Sequence, residues 1–308
     1  SASSFVVSIR PPNGCGETVA PGMKFKDSMY DNFSFSADLN LAAVGSVGDL
    51  LGQARTLSRS VDGIHVSDGA NDGVHFPALA TAQLLLENDI DPILQISCRD
   101  KDRLTLEIEI RGALALGVTS VLLVRGESGG ISDTSDRIVK VSTTELIQMV
   151  RRIEQESQQS NLSVGTIATV FKPAADWRPH ALLKKTGAGA NFIRTQLCFD
   201  ADKLKLYMPK LVRSKVTWKA PIIVNLAVLP SAKAAKWLSE NLRGSLIPET
   251  VIKRMEHAVD PEAEGVQVAA ELIAEFNTIP GISGVCLMTP GPAELIPEAV
   301  NASGLRQD

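Results

Sequence analysis

Several short apolar runs of the sequence end in polar side chains that could bind a ligand. These polar residues are Ser8, Arg10, Ser67, Gln95, Ser97, Arg125, Glu127, Gln196 and Asn225. A polar group in an apolar run is costly to bury unless it is hydrogen-bonded. If the run ends converge, their amides, hydroxyls and charges suit a polar heterocyclic ligand. The alternative is a set of satisfied core groups and solvated loop residues.

The runs themselves have the length and composition of strands buried on both faces. They cover residues 5–10, 63–68, 92–98, 120–125, 163–170, 192–197, 221–229 and 284–289. Helical patterns lie between them, at 79–88, 102–116, 143–158, 179–186, 200–211, 232–241, 248–259 and 261–277. Eight strands alternating with helices predict an α/β fold, a single-domain (β/α)8 TIM barrel over residues 1–308, rather than an open sheet. In such a barrel the carboxyl ends of the strands build the active site.

One long irregular segment interrupts this alternation. Residues 11–37 directly follow the first predicted strand and are rich in Gly, Pro, Asn, Ser and Phe. A loop of this length in a compact domain is usually a lid or a binding loop, or is mobile.

Composition and charge exclude several classes of protein. The net charge of −4 gives no basic excess for nucleic acid, and the longest apolar run, 222–229, is far too short to span a bilayer. Residues 1–4 do not look like a signal peptide. Four widely spaced cysteines without a CxxC pair indicate a reducing, cytoplasmic setting, and four histidines without ligand spacing predict no metal.

Taken in order, the short motifs resemble the methylenetetrahydrofolate reductase family over essentially the whole chain. The motifs are Arg10-Pro11-Pro12, Ser67-Asp68-Gly69-Ala70-Asn71, Arg125-Gly126-Glu127, Gly189-Ala190-Asn191, Thr195-Gln196 and Phe199-Asp200. The resemblance implies a flavin-containing barrel that reduces 5,10-methylenetetrahydrofolate to 5-methyltetrahydrofolate. It also implies FAD as cofactor and NADH or NADPH as the source of hydride.

The same resemblance implies roles for individual residues. Gln196 matches a glutamine that contacts substrate beside the flavin, and Glu127 stands in place of an aspartate near the rings. The implied cofactor-binding residues are Ser67, Gln95, Ser97, Arg125 and Lys185, with Gln95 where a histidine is usual. The expected substrate contacts are Gln196, Glu127, Arg10 and Asn225.

The sequence departs from the family at the first predicted strand. Alignment on Pro11-Pro12 puts Ser8 where the family has a glutamate that acts as general acid. A serine cannot replace a carboxylic acid in proton transfer, and loss of such a group costs roughly 10²–10⁴-fold in rate. Three explanations stay open: altered chemistry on a bound folate, an acid from elsewhere such as Glu17, or a substitution at this one position. We therefore expect weak or absent methylene reduction unless another residue supplies the acid.

Three functions follow as expectations. The first is an enzyme of one-carbon metabolism that binds reduced folate and acts as a reductase, with Glu127, Gln196 and Ser8 at the catalytic centre. The second is a folate-dependent methyltransferase or demethylase component, which uses tetrahydrofolate as methyl acceptor without flavin, because methyl transfer depends mainly on positioning. The third is a non-catalytic partner subunit; a homo-oligomer is also possible.

Overall fold

Eight parallel strands close into one barrel. The computed structural model describes residues 24–41, 44–67, 76–99, 101–126, 141–157 and 161–306. The strands are β1 (Ser34–Asp38), β2 (Gly63–Val66), β3 (Pro92–Ser97), β4 (Ser120–Val124), β5 (Ser163–Ala168), β6 (Phe192–Leu197), β7 (Ile222–Ala227) and β8 (Ile282–Met288). Each strand pairs with the next along the chain, and β8 pairs with β1. The predicted (β/α)8 TIM barrel is therefore confirmed.

The described helices surround this barrel. They are α1 (Phe25–Asp31), α2 (Val47–Ser58), α3 (Ala78–Leu86), α4 (Arg103–Ala115), α5 (Thr143–Glu156), α6 (His180–Gly187), α7 (Ala201–Arg213), α8 (Ala232–Asn241), α9 (Glu249–Glu256), α10 (Pro261–Thr278) and α11 (Leu295–Ala302). Side chains at several helix starts accept a backbone hydrogen bond that the first turn would otherwise leave unmade, for example Ser142 with Glu145 in a capping box. None of these helices is long and apolar enough to cross a membrane.

The assignment of strand one to residues 5–10 is wrong. The first barrel strand is β1, and the barrel closes with eight strands that do not include 5–10. Ser8 and Arg10, like all of residues 1–23, lie outside the described part of the chain. The predicted long loop 11–37 is also wrong from residue 25 onward, because α1 and most of β1 fall within it.

Helix α1 packs across the amino end of the barrel. Phe25 is fully buried, and its ring meets the Phe192 ring edge-on with centroids 5.5 Å apart. Its backbone N–H donates to Asp91 Oδ2 at 3.0 Å. We call the apolar layer at this end the plug; its members are Phe25, Met29, Ile93, Leu122, Phe192 and Ile223, and Cys286 packs in the same buried cluster. The plug fills the interior below the carboxyl end.

The plug also fixes which side chains of each strand face inward. Side chains alternate between the two faces of a strand, so a residue two positions beyond a plug residue faces the interior again. This places Gln95, Arg194 and Asn225 inside, one step closer to the carboxyl end than Ile93, Phe192 and Ile223. We call that end of the barrel the mouth.

Candidate functional site

A charged pair lies inside the barrel above the plug. Arg194 Nη1 donates to Asp38 Oδ1 at 2.6 Å, and Nη2 donates to Asp38 Oδ2 at 3.1 Å. Cys286 packs against both residues, with its Sγ 3.4 Å from Arg194 Nη1 and 3.6 Å from Asp38 Oδ1. On the adjacent strand, His65 Nε2 is 3.3 Å from Ser36 Oγ. The centre of the barrel is thus polar rather than apolar.

The pair sets the charge of its neighbours. Burial disfavours ionisation of Asp38, but the Arg194 guanidinium outweighs it and lowers the pKa of the carboxyl. Burial and the nearby Arg194 charge lower the pKa of His65 to about 3, so the imidazole is neutral near pH 7. Burial raises the pKa of Cys286, which stays a thiol. The centre therefore holds one compensated ion pair among neutral groups.

This cluster also contains three possible metal ligands, and they do not suit a metal. One ligand atom each of Asp38, His65 and Cys286 lies within 4.8 Å of the others. Both Asp38 oxygens already accept from Arg194. A cation placed here would face a guanidinium at close range, which is repulsive.

Four of the predicted site residues line the mouth. Gln95 Nε2 donates to Ser67 Oγ at 3.1 Å, so the structure brings these two predicted cofactor residues together. Gln196 Oε1 accepts from Thr169 Oγ1 at 2.8 Å. The Asn225 backbone N–H donates to Thr195 Oγ1, while Asn225 Oδ1 is buried and has no hydrogen-bond partner among the described residues.

A loop after α8 lies directly against Gln196. Leu246 forms a parallel bridge with Cys198, which extends the sheet at the end of β6. Gly244, with φ of 77°, precedes this bridge, and a Cβ built on it would lie 1.8 Å from Gln196 Oε1. A side chain at position 244 would displace the Gln196 amide, and the positive φ also favours glycine. The loop and Thr169 together hold the Gln196 amide in place.

The remaining predicted cofactor residues continue around the mouth. Ser97 Oγ donates to the carbonyl of Arg125 at 3.4 Å, and the Arg125 side chain is exposed. Lys185 lies on α6 instead of a strand end, and its Nζ donates to the Ile167 carbonyl at 3.0 Å. Burial lowers the pKa of Lys185. Glu127, like Ser8 and Arg10, lies outside the described residues.

Sequence reasoning missed Asp38 and the pairing of Arg194. Asp38 ends β1, which was placed in the irregular segment, although it is the one carboxylate within the eight described strands. Arg194 lies within the sixth predicted strand, 192–197, but was given no role. An arginine within a buried run needs a charged partner. That requirement could have indicated that Arg194 pairs with a carboxylate inside the barrel.

The fold is a (β/α)8 barrel, a class of protein in which binding and active sites are built at the carboxyl ends of the strands. The family model described as methylenetetrahydrofolate reductase matches residues 45–304. The chain belongs to the methylenetetrahydrofolate reductase family.

Two solved structures resemble this chain in fold at low sequence identity. The chain is similar to an uncharacterized protein from Clostridium thermocellum that binds two copies of 5-methyl-5,6,7,8-tetrahydrofolic acid, with 13% identity, a TM-score of 0.66, and coverage of 90% of this chain and 96% of that one. A 2,3-dimethylmalate lyase matches at 10% identity and a TM-score of 0.48, over 85% of this chain and 77% of that one. A comparison with curated proteins gave no match.

Proposed function

We propose that this chain binds a reduced folate in the mouth of the barrel and acts on its one-carbon unit. The observation that carries the proposal is the set of inward hydrogen-bonding groups above a closed apolar plug, among them Asn225 Oδ1, which no described residue satisfies. A buried acceptor without a protein partner is costly, and a ligand donor would remove that cost. Family membership and the folate bound by the Clostridium thermocellum protein support the same ligand.

Gln196 is the residue we assign to orient the pterin. Thr169 donates to its Oε1, which leaves the Nε2 amide hydrogens to point toward a ligand. In this role Gln196 donates to a pterin acceptor, and Asn225 accepts from a pterin donor. Glu127 and Arg10 keep their sequence-derived roles in substrate binding as part of the proposal.

The reaction we propose first is the family's reduction of 5,10-methylenetetrahydrofolate, with NADH or NADPH as donor and FAD as carrier. The residues present fit a flavin in their chemistry, because Ser67 directly follows β2, Gln95 and Ser97 lie on β3, Arg125 directly follows β4, and Lys185 lies beyond β5. When bound, the flavin would supply hydride transfer. The chain would supply hydroxyl and amide contacts, and Arg125 and Lys185 would supply positive charge for phosphates.

One observation favours the second candidate, a folate-dependent methyl transfer without flavin. Reduction needs a proton donor, and the one carboxylate of the described strands is Asp38. Arg194 keeps Asp38 ionised, so it is a poor acid near pH 7. Methyl transfer needs a positioned acceptor more than an acid. Under this candidate the mouth holds tetrahydrofolate or 5-methyltetrahydrofolate with the same residues.

The test is a calorimetric titration of the purified protein with 5-methyltetrahydrofolate, together with its absorption spectrum. We expect saturable binding that weakens about tenfold in Gln196→Ala, the worth of one good hydrogen bond. Gln83→Ala is the matched control, because Gln83 is exposed on α3. Absent binding, or equal loss in both variants, refutes the proposal. A flavin absorption band with NADH-dependent turnover supports reduction, and a colourless folate-binding protein supports methyl transfer.

A further inference from the structure

We propose that Asp38 and Asn225 form an acceptor pair that binds the donor edge of the pterin, the edge that carries the 2-amino group and N3–H. The pterin then enters the mouth with its pyrimidine edge directed toward the barrel centre. Arg194 is the positioning residue of this subsite. The inference rests on the proposed folate binding and adds the orientation of the ligand and the residues that select it.

The Asp38 carboxylate is both fixed and accessible. A carboxylate has about four acceptor positions. Arg194 uses one on each oxygen, and the Cys286 thiol uses one more on Oδ1. The Asp38 side chain is 26% exposed, whereas that of Arg194 is 11% exposed, so Asp38 is the more open partner of the pair. At least one acceptor position remains for a ligand that enters the mouth.

Asn225 supplies the second acceptor beside the same cysteine. Asn225 pairs with Cys286 in the register of β7 and β8, and Cys286 Sγ contacts Asp38. Asn225 is only 6% exposed, yet its Oδ1 has no partner in the described chain. The Asp38 carboxylate and Asn225 Oδ1 therefore lie on either side of Cys286. Each keeps at least one acceptor position to which no described residue donates a hydrogen bond.

The donor edge of a pterin matches this arrangement. Its 2-amino group and N3–H are adjacent donors in one plane, so one can donate to the open position of Asp38 and the other to Asn225 Oδ1. Lumazine is the same bicycle with a 2-oxo group in place of the 2-amino group. In lumazine one donor becomes an acceptor and would face the Asp38 charge without a hydrogen bond, which leaves a buried polar group unpaired.

The experiment compares pterin and lumazine as ligands by equilibrium titration. We expect the wild-type protein to prefer pterin by at least tenfold, since hydrogen bonds to charged groups are worth roughly 1.5–3 kcal/mol and 1.4 kcal/mol is tenfold. In Asp38→Asn, which exchanges one acceptor oxygen for a donor, the preference should fall to within about threefold by the same relation. Asp202→Asn is the matched control, because the Asp202 side chain is 93% exposed.

Asp38→Asn weakens the charged partner of Arg194 and could misfold, so a second variant tests the inference independently. Asn225→Leu removes an acceptor that no described residue uses, so it should stay folded and lose pterin preference at least threefold by the same relation. Unchanged preference in a folded variant of either residue overturns the inference. Equal binding of pterin and lumazine by the wild type overturns it as well. If 5-methyltetrahydrofolate still binds, the proposed function survives; if it does not bind at all, both fail.

Discussion

Replacing Gly244 by alanine tests whether the loop after α8 positions Gln196. A Cβ at Gly244 would lie 1.8 Å from Gln196 Oε1 and 2.6 Å from its Cδ, far inside contact distance. The Gln196 amide must therefore turn away, and its hydrogen bond from Thr169 is lost. Because Gln196 is proposed to donate to the pterin, the substitution should weaken folate binding without touching the ligand directly.

The expected magnitude has two parts that can be separated. Gly244 has φ of 77°, and a side chain in this left-handed region costs about 1–2 kcal/mol. Loss of the Thr169 hydrogen bond adds about 0.5–1.5 kcal/mol. Gly117 has φ of 80° and nothing within 4 Å of a built Cβ, so Gly117→Ala has the backbone cost alone. The excess destabilisation of Gly244→Ala over Gly117→Ala isolates the displacement of Gln196.

The assay measures unfolding in urea and calorimetric binding of 5-methyltetrahydrofolate for both variants. We expect Gly244→Ala to bind about tenfold more weakly than Gly117→Ala, which corresponds to one hydrogen bond to the ligand. Equal affinities in the two variants would show that Gln196 does not contact the folate, or that it reaches the folate from more than one conformation. Either result refutes the positioning argument.

Two further predictions concern the barrel interior. His65 is neutral down to about pH 3 in the folded protein, whereas an unfolded histidine binds its proton near pH 6.5, so the unfolded state gains protons as pH falls. The free energy of unfolding should therefore decrease between pH 6.5 and 3, by up to ~1.4 kcal/mol per pH unit from this residue, and His65→Gln should show a shallower decrease in urea titrations at each pH; equal slopes contradict the assignment. Gly165→Ala places a Cβ 2.1 Å from Phe192 Cζ in the plug and should lower the free energy of unfolding by about 1–3 kcal/mol. Gly52 lies in the middle of α2 with open space around it, so Gly52→Ala should instead raise the free energy of unfolding by about 0.5–1 kcal/mol. Similar changes in the free energy of unfolding for Gly165→Ala and Gly52→Ala would show that the plug is loosely packed.

Most of the barrel was predictable because its strands are apolar and alternate with helical patterns. The bounds predicted for β6 and α8 match the structure, and the other predicted barrel strands after the first agree to within a few residues. Apolar runs bury both faces of a parallel strand, and this signal survives in a single sequence. Three helices were missed: α1, α2 and α11. In α2, two glycines weaken the helical pattern even though Ser46 caps it.

Strand β1 could not be recognised by the same signal. Its sequence is Ser-Phe-Ser-Ala-Asp, and its alternate positions Ser34, Ser36 and Asp38 are polar, with Ser36 and Asp38 at the polar centre of the barrel. The run 5–10 is more apolar and so took its place in the prediction. Burial of Asp38 depends on Arg194, which is 156 residues distant, and no local pattern reveals such a pair.

The buried pair also determines what the barrel centre can do. Desolvating two charges is expensive, and an ion pair often contributes little net stability compared with an apolar core. Asp38 and Arg194 are therefore better explained by binding than by stability, because a compensated carboxylate keeps a fixed acceptor at the mouth without a net charge in the barrel. The Arg194 charge also lowers the pKa of Asp38, so this carboxyl is not a proton donor near pH 7. If methylene reduction is measured for this chain, its proton must come from a group outside the eight strands, for which Glu127 and Glu17 are the candidates in the sequence. If the reaction needs no proton donor, it is a methyl transfer. The main contribution of the chain is then to orient the pterin through the acceptor pair, Asp38 and Asn225.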